Sequence, residues 1–141
     1  MTLYFAYGAN LDPVGMAHRC PNSTLLGLAR LDHHRFIVMS DGYATVLPAP
    51  GSVVHGLLWD VAADDWAALD AYEDVDAGLY RRAVSTVTGQ DGLQPVTIYL
   101  ASDNTVGTPA PGYMERVLAA ADACGLPVVY RAELKSWLVS R

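Results

Sequence analysis

The stretch that most constrains this chain is Tyr4-Phe5-Ala6-Tyr7-Gly8-Ala9-Asn10-Leu11, followed at once by Asp12-Pro13. Tyr4 to Tyr7 are aromatic or small, which predicts a buried first strand. The strand breaks on Gly8-Ala9-Asn10. Asp is a favoured helix N-cap, and Pro suits the first helical position because an N–H there would go unpaired anyway. Strand, tight turn and helix start are thus compressed into a few residues. Such a corner gathers unpartnered backbone N–H groups beside a helix N-terminus, a place for a carboxylate or a developing oxyanion.

The rest of the chain fits around that corner as a single domain over residues 1–141. Hydrophobic residues make up 52% and charged residues 17%, which excludes a disordered chain. The net charge is −6 and the single lysine is Lys135, so neither nucleic acid nor an anionic membrane surface is an expected partner. Met1-Thr2-Leu3 runs straight into the first strand without the pattern of a signal peptide, and no apolar run is long enough to span a bilayer. A cytoplasmic protein with reduced Cys20 and Cys124 is expected, as a monomer or homodimer.

In chain order, Asp12 to Cys20 reads as a short helix closed by Pro21-Asn22. Ser23 to Ser40 predicts a long or broken strand, Ala44 to Leu47 a brief one and Val53 to Val61 a stronger one. Turns are expected at Asp41-Gly42 and at Pro48-Ala49-Pro50-Gly51. Gly56, inside a strand, marks a bend or a close backbone approach. Asp64 to Glu73 changes to helical spacing through Trp66 and Leu69. Tyr80 to Thr88 and Pro95 to Ala101 form a hairpin through Gly89 to Gly92. Ser102 to Gly112 is a long irregular stretch of the kind that forms lids. Pro111 opens a helix ending at Gly125, and Pro127 to Leu138 is a last helix carrying Val128, Leu134 and Leu138. Short strands with single helices between them indicate an α+β domain, a mixed, barrel-like β-sheet with flanking helices.

Chemistry concentrates in Leu69-Asp70-Ala71-Tyr72-Glu73-Asp74. Glu73 falls at a helix C-terminus, where the dipole disfavours ionisation, with Asp70 one turn back and Asp74 and Asp76 following. Helix end, like charge and burial all raise its pKa, as suits a general acid and base. Other chemistries fit less well. There is no G-x-S-x-G for a serine hydrolase. His33 and His34 are adjacent, so on a regular strand they point to opposite faces, and no ligand spacing joins His18 to His55. Asp70 and Glu73, one turn apart on one helix, do not flank a sugar bond as a glycosidase pair would. Trp59, Trp66 and Trp137 read as packing residues.

Tyr4 to Leu11 resembles the YFAYGSNL signature of the γ-glutamylcyclotransferase family. In order along the chain, Val54, Gly56 and Trp59 resemble its V-x-G-x-x-W, and Leu69, Asp70 and Glu73 its L-D-x-x-E. Gly78 and Tyr80 resemble its G-x-Y, Pro111 and Tyr113 its P-x-Y, and Gly125-Leu126-Pro127 its G-L-P. The resemblance implies cyclisation of a γ-glutamyl amide to 5-oxoproline and a free amine, with Glu73 as general acid/base and no metal or cofactor. It places Tyr4, Phe5, Ala6, Tyr7, Gly8, Ala9, Asn10, Leu11, Tyr80 and Tyr113 around a small-molecule substrate. The amine released can be an amino acid, a glutathione-like peptide, a γ-glutamyl-lysine type product or a specialised amine. The chain departs from the family pattern at Ala9, where serine is usual, and at Asp74, where many relatives have glycine. The alternative reading is a non-catalytic γ-glutamyl-binding protein of the same fold, against which retention of Glu73 argues.

Overall fold

The computed structural model describes residues 2–138. Five strands, β1 (Leu3–Ala6), β2 (Thr24–Val38), β3 (Ala44–Asp60), β4 (Tyr80–Gly89) and β5 (Gly92–Ala101), close into a barrel in the order β1-β3-β2-β4-β5. Strand β1 runs antiparallel to β3 and parallel to β5, so the sheet is mixed, as its pattern predicts. Four helices flank it: α1 (Pro13–Arg19), α2 (Trp66–Tyr72), α3 (Tyr113–Cys124) and α4 (Val128–Lys135). Tyr4, Phe5, Ala6 and Tyr7 are all buried, which is why β1 reads as an unbroken apolar run rather than an alternating one. Trp59, Trp66 and Trp137 are buried in the same core. Cys20 and Cys124 are unpaired. Among the described residues no helix is long and apolar enough to cross a membrane.

Several elements differ from expectation. The turn predicted at Pro48 to Gly51 is absent, because β3 runs without interruption from Ala44 to Asp60 against β2. Strand β1 covers β3 only from Leu57 to Asp60. Upstream, the edge of β3 away from β2 has no strand partner among the described residues, so prolines that cannot donate are tolerated there. His33 does not lie on a regular strand: it has φ 60 within a register shift between Asp32 and His34. Pro111 stands just outside α3, whose N-cap is Gly112. Gly125 closes that helix in the left-handed conformation, with the Leu126 amide reaching back to Ala121. In α4 the buried stripe is Tyr130 and Leu134, continued by Trp137, while Val128 and Leu138 are exposed. The stretch 102–112 is irregular but is no free lid. Val106 bridges to Met39, and the amides of Gly107 and Ala110 bond to Val38 and Gly42.

Gly56 is required by a close approach. A Cβ there would sit 2.2 Å from the Ala6 carbonyl oxygen and 3.0 Å from the Phe5 ring. The glycine of the V-x-G-x-x-W pattern therefore lets β1 lie on β3. Gly56→Ala is expected to cost at least the upper part of the usual overpacking range, about 1–3 kcal/mol, because the atom that must yield is backbone. The midpoint of urea unfolding measures this, and an unchanged midpoint would refute the packing argument.

Candidate active site

The site is assembled at one mouth of the barrel from α2, the β1–α1 corner, β5 and the start of α3. Trp66 and Leu69 anchor α2 on the core, and the Trp66 ring meets Tyr4 edge-on at 6.1 Å. Asp70 is turned outward, gripped by both arms of Arg82 at 2.6 and 2.8 Å and by the Tyr99 hydroxyl at 2.7 Å. One turn later Glu73 caps the helix, its amide bonded to the Leu69 carbonyl. The chain then reverses at Asp74, whose φ is 51. Glycine adopts that left-handed conformation without strain, and aspartate is among the other residues that tolerate it.

At the β1–α1 corner the local rules hold. A 3-10 turn spans Ala9–Leu11, Asp12 accepts the Val14 amide at 3.1 Å, and Pro13 opens α1. Asn10 is buried and organises its surroundings. Its Nδ2 donates to the Tyr4 hydroxyl at 2.9 Å and, at 3.4 Å, to Glu73 Oε1. Its Oδ1 accepts from Arg19, whose guanidinium lies 3.8 Å over the Tyr72 ring. Where the sequence suggests unpartnered corner amides, the Leu11 N–H is bonded back to the Gly8 carbonyl at 3.0 Å.

These elements enclose a cavity of about 260 Å³ lined by Tyr4, Tyr7, Gly8, Ala9, Asn10, Glu73, Tyr80 and Tyr113, together with Tyr43, Ala44, Tyr72, Asp74, Leu79, Tyr99 and Arg116. Seven of the eight tyrosines of the chain face it. Three of their hydroxyls donate inward to the protein: Tyr7 to the Tyr99 carbonyl, Tyr80 to the Ala44 carbonyl and Tyr99 to Asp70. Two accept instead, Tyr4 from Asn10 and Tyr113 from the Ala44 amide at 3.2 Å. A hydroxyl that accepts from the protein keeps its own proton for a ligand, so the Tyr4 and Tyr113 hydroxyls can both donate into the cavity.

Glu73 is the carboxyl set among these rings. Withdrawal from water pushes its pKa up to about 7, with Asp74 adding to the rise and the Arg19 charge opposing it. The expected contribution from Asp70 does not arise, because that carboxylate faces away and is neutralised by Arg82. Three residues expected around a ligand do not line the cavity either. Phe5, Ala6 and Leu11 are fully buried in the core: Phe5 packs over Gly56, Ala6 pairs with Leu57, and the Leu11 carbonyl accepts from Cys124. Conversely, Arg19, Tyr43, Tyr72, Tyr99 and Arg116 carry no motif signal. Tyr72, beside Glu73, was the one most open to detection. Among the described residues no three His, Cys, Asp or Glu side chains gather as a metal site would require.

A closed mixed barrel whose mouth holds a buried carboxyl among tyrosines defines the class, and comparison with known proteins places the chain within it. The AIG2-like family model matches residues 53–134, which include Glu73, Tyr80 and Tyr113. Gamma-glutamylcyclotransferase of Mus musculus is 30% identical over 145 residues, covering 95% of this chain and 77% of that protein. The Homo sapiens protein of the same name is 29% identical with the same coverage. A solved structure of a gamma-glutamyl cyclotransferase superposes with a TM-score of 0.87 at 29% identity, over 96% of this chain and 86% of that one. YkqA from Bacillus subtilis shares the fold at 22% identity, with a TM-score of 0.82 over 96% of this chain and 53% of its own. The chain belongs to the AIG2-like, γ-glutamylcyclotransferase family.

Proposed function

We propose that this protein cyclises a γ-glutamyl amide, releasing 5-oxoproline and the free amine. The observation that carries the reading is a carboxyl raised to about 7 inside a cavity into which the Tyr4 and Tyr113 hydroxyls can donate. A group with that pKa is present in both protonation states near neutrality, as an acid–base shuttle requires. Glu73 as carboxylate takes a proton from the substrate's α-amino group, and the freed nitrogen attacks its own γ-carbonyl carbon. Negative charge develops on the carbonyl oxygen, where a tyrosine O–H donor stabilises it. Glu73 then hands the proton to the departing nitrogen as the C–N bond breaks, and takes up the second proton that the ring nitrogen sheds in becoming the lactam N–H, which passes on to the released amine. Nucleophile and electrophile are tethered in one molecule, so holding a near-attack conformer supplies up to about 7–11 kcal/mol of the barrier reduction. No other group need enter the bond changes. The residue at position 9 contributes only backbone here, because Ala9 has no hydroxyl to offer.

The reaction class is tested by blocking the nucleophile. Acetylating the α-amine leaves the scissile amide intact, so a hydrolase that uses water still cleaves it, whereas a cyclotransferase does not. An N-acetyl γ-glutamyl amide is expected to release no amine, even at concentrations where it displaces substrate in a binding competition. Release of amine together with N-acetylglutamate under those conditions would overturn the reading.

A further inference from the structure

A second hollow, of about 360 Å³, adjoins the candidate active site and shares Ala9, Tyr72, Tyr113 and Arg116 with it. Away from the shared residues its lining is largely apolar, built from Pro13 and from Val117, Ala119, Ala120 and Ala123 of α3. Two guanidinium groups and one carboxylate border it. Arg19 is committed to Asn10 and to the Tyr72 ring, and Asp12 to the Val14 amide. Arg116 is different. It stands at the junction of the two hollows, its side chain exposed and without a hydrogen bond or carboxylate partner among the described residues.

From this junction we infer that the second hollow receives the leaving amine, and that Arg116 selects amines carrying a carboxylate. The inference rests on the cyclotransferase reading and deepens it. The γ-glutamyl half occupies the tyrosine-lined cavity beside Glu73, and the scissile nitrogen lies at the shared wall. The carbon skeleton of the amine extends over Pro13 and the alanines. Small side chains there leave room for substituents without dictating their shape, so the apolar wall is permissive and the charge reader is Arg116. A planar guanidinium matches a carboxylate by paired hydrogen bonds, which a neutral amide in its place cannot reproduce. Arg116 is a specificity residue in this scheme, and every bond change stays with Glu73 and the substrate. An amino acid or peptide leaving group is favoured over a simple amine or a diamine, which presents no anion to the guanidinium.

The test compares γ-glutamyl-alanine with γ-glutamyl-alaninamide, which differ only in that carboxylate. Wild-type kcat/KM for 5-oxoproline formation is expected to favour the acid by about fivefold, the scale of a solvent-accessible ion pair. Arg116→Gln should bring the ratio close to one, and Arg116→Lys should retain part of it. Calorimetric binding of both compounds to Glu73→Gln protein, with and without Arg116→Gln, reads the same preference without turnover. A preference that is absent in wild type, or that survives Arg116→Gln, overturns the subsite. Discrimination in binding without any 5-oxoproline formed by wild type leaves the subsite standing and removes the cyclotransferase reading.

Discussion

Glu73→Gln protein is expected to lose about 10²–10⁴-fold in the rate of 5-oxoproline formation, the usual contribution of a positioned acid–base group, while still binding substrate. Glutamine fills the same space and preserves an oxygen for the Asn10 amide, which lies 3.4 Å from Glu73 Oε1, but it cannot carry a proton. The same substitution has a second, opposite signature in stability. Glu73 titrates near 7 in the folded protein against 4.5 for an unperturbed glutamate. Between those values the native state holds more protons than the unfolded state, so the contribution of Glu73 to stability falls as pH rises. Above about pH 7 the buried carboxylate costs up to about 3 kcal/mol, from about 1.4 kcal/mol per pKa unit. Glu73→Gln is therefore expected to raise the unfolding midpoint at about pH 8 and to leave it unchanged near pH 4. Near-wild-type turnover in the purified variant would end the mechanism. A midpoint at pH 8 no higher than wild type would show that burial does not raise this carboxyl.

Gly8→Val is expected to lose both binding and rate, by tenfold or more in kcat/KM, on an overpacking cost of about 1–3 kcal/mol. A Cβ at position 8 would stand 2.9 Å from the Tyr113 hydroxyl and 3.5 Å from the Ala44 side chain. That hydroxyl is held by the Ala44 amide at 3.2 Å and by a ring contact of Tyr113 with Tyr43 at 5.3 Å, so it cannot retreat without opening the cavity wall. Valine adds two methyl groups beyond a Cβ that is already too close. Substrate binding by calorimetry and initial rates of 5-oxoproline formation check this, beside an unfolding curve that confirms the variant is folded. If binding and kcat both survive, this turn has no part in holding the ligand.

Much of the site was legible in the chain because its parts obey local rules. Asp12 caps and Pro13 opens α1 through contacts two residues long, so the corner after β1 could be placed without knowing what surrounds it. Helical spacing through Trp66 and Leu69 put Glu73 at a helix end for the same reason. The mixed barrel followed from the rhythm of strands and turns. What periodicity could not supply was direction. Asp70 and Glu73 are one turn apart, yet Asp70 faces outward because Arg82 and Tyr99 arrive from other strands to take it. Phe5, Ala6 and Leu11 belong to the signature but serve the core, the first two pressed against Gly56.

The chain alone set the helix end that carries Glu73 and the turn after β1, each through neighbours within a few residues, and its rhythm of strands and turns set the class of fold. The tertiary structure alone decided that Glu73 is withdrawn from water, that Asn10 joins it to Arg19 and Tyr4, and that seven tyrosines meet around it. Those partners come from positions as distant as Tyr4, Tyr43, Tyr99 and Tyr113. Only closure of the barrel, with β1 seated between β3 and β5, brings them to one mouth. Desolvation depends on everything that surrounds a group in space, and no spacing along a chain encodes it.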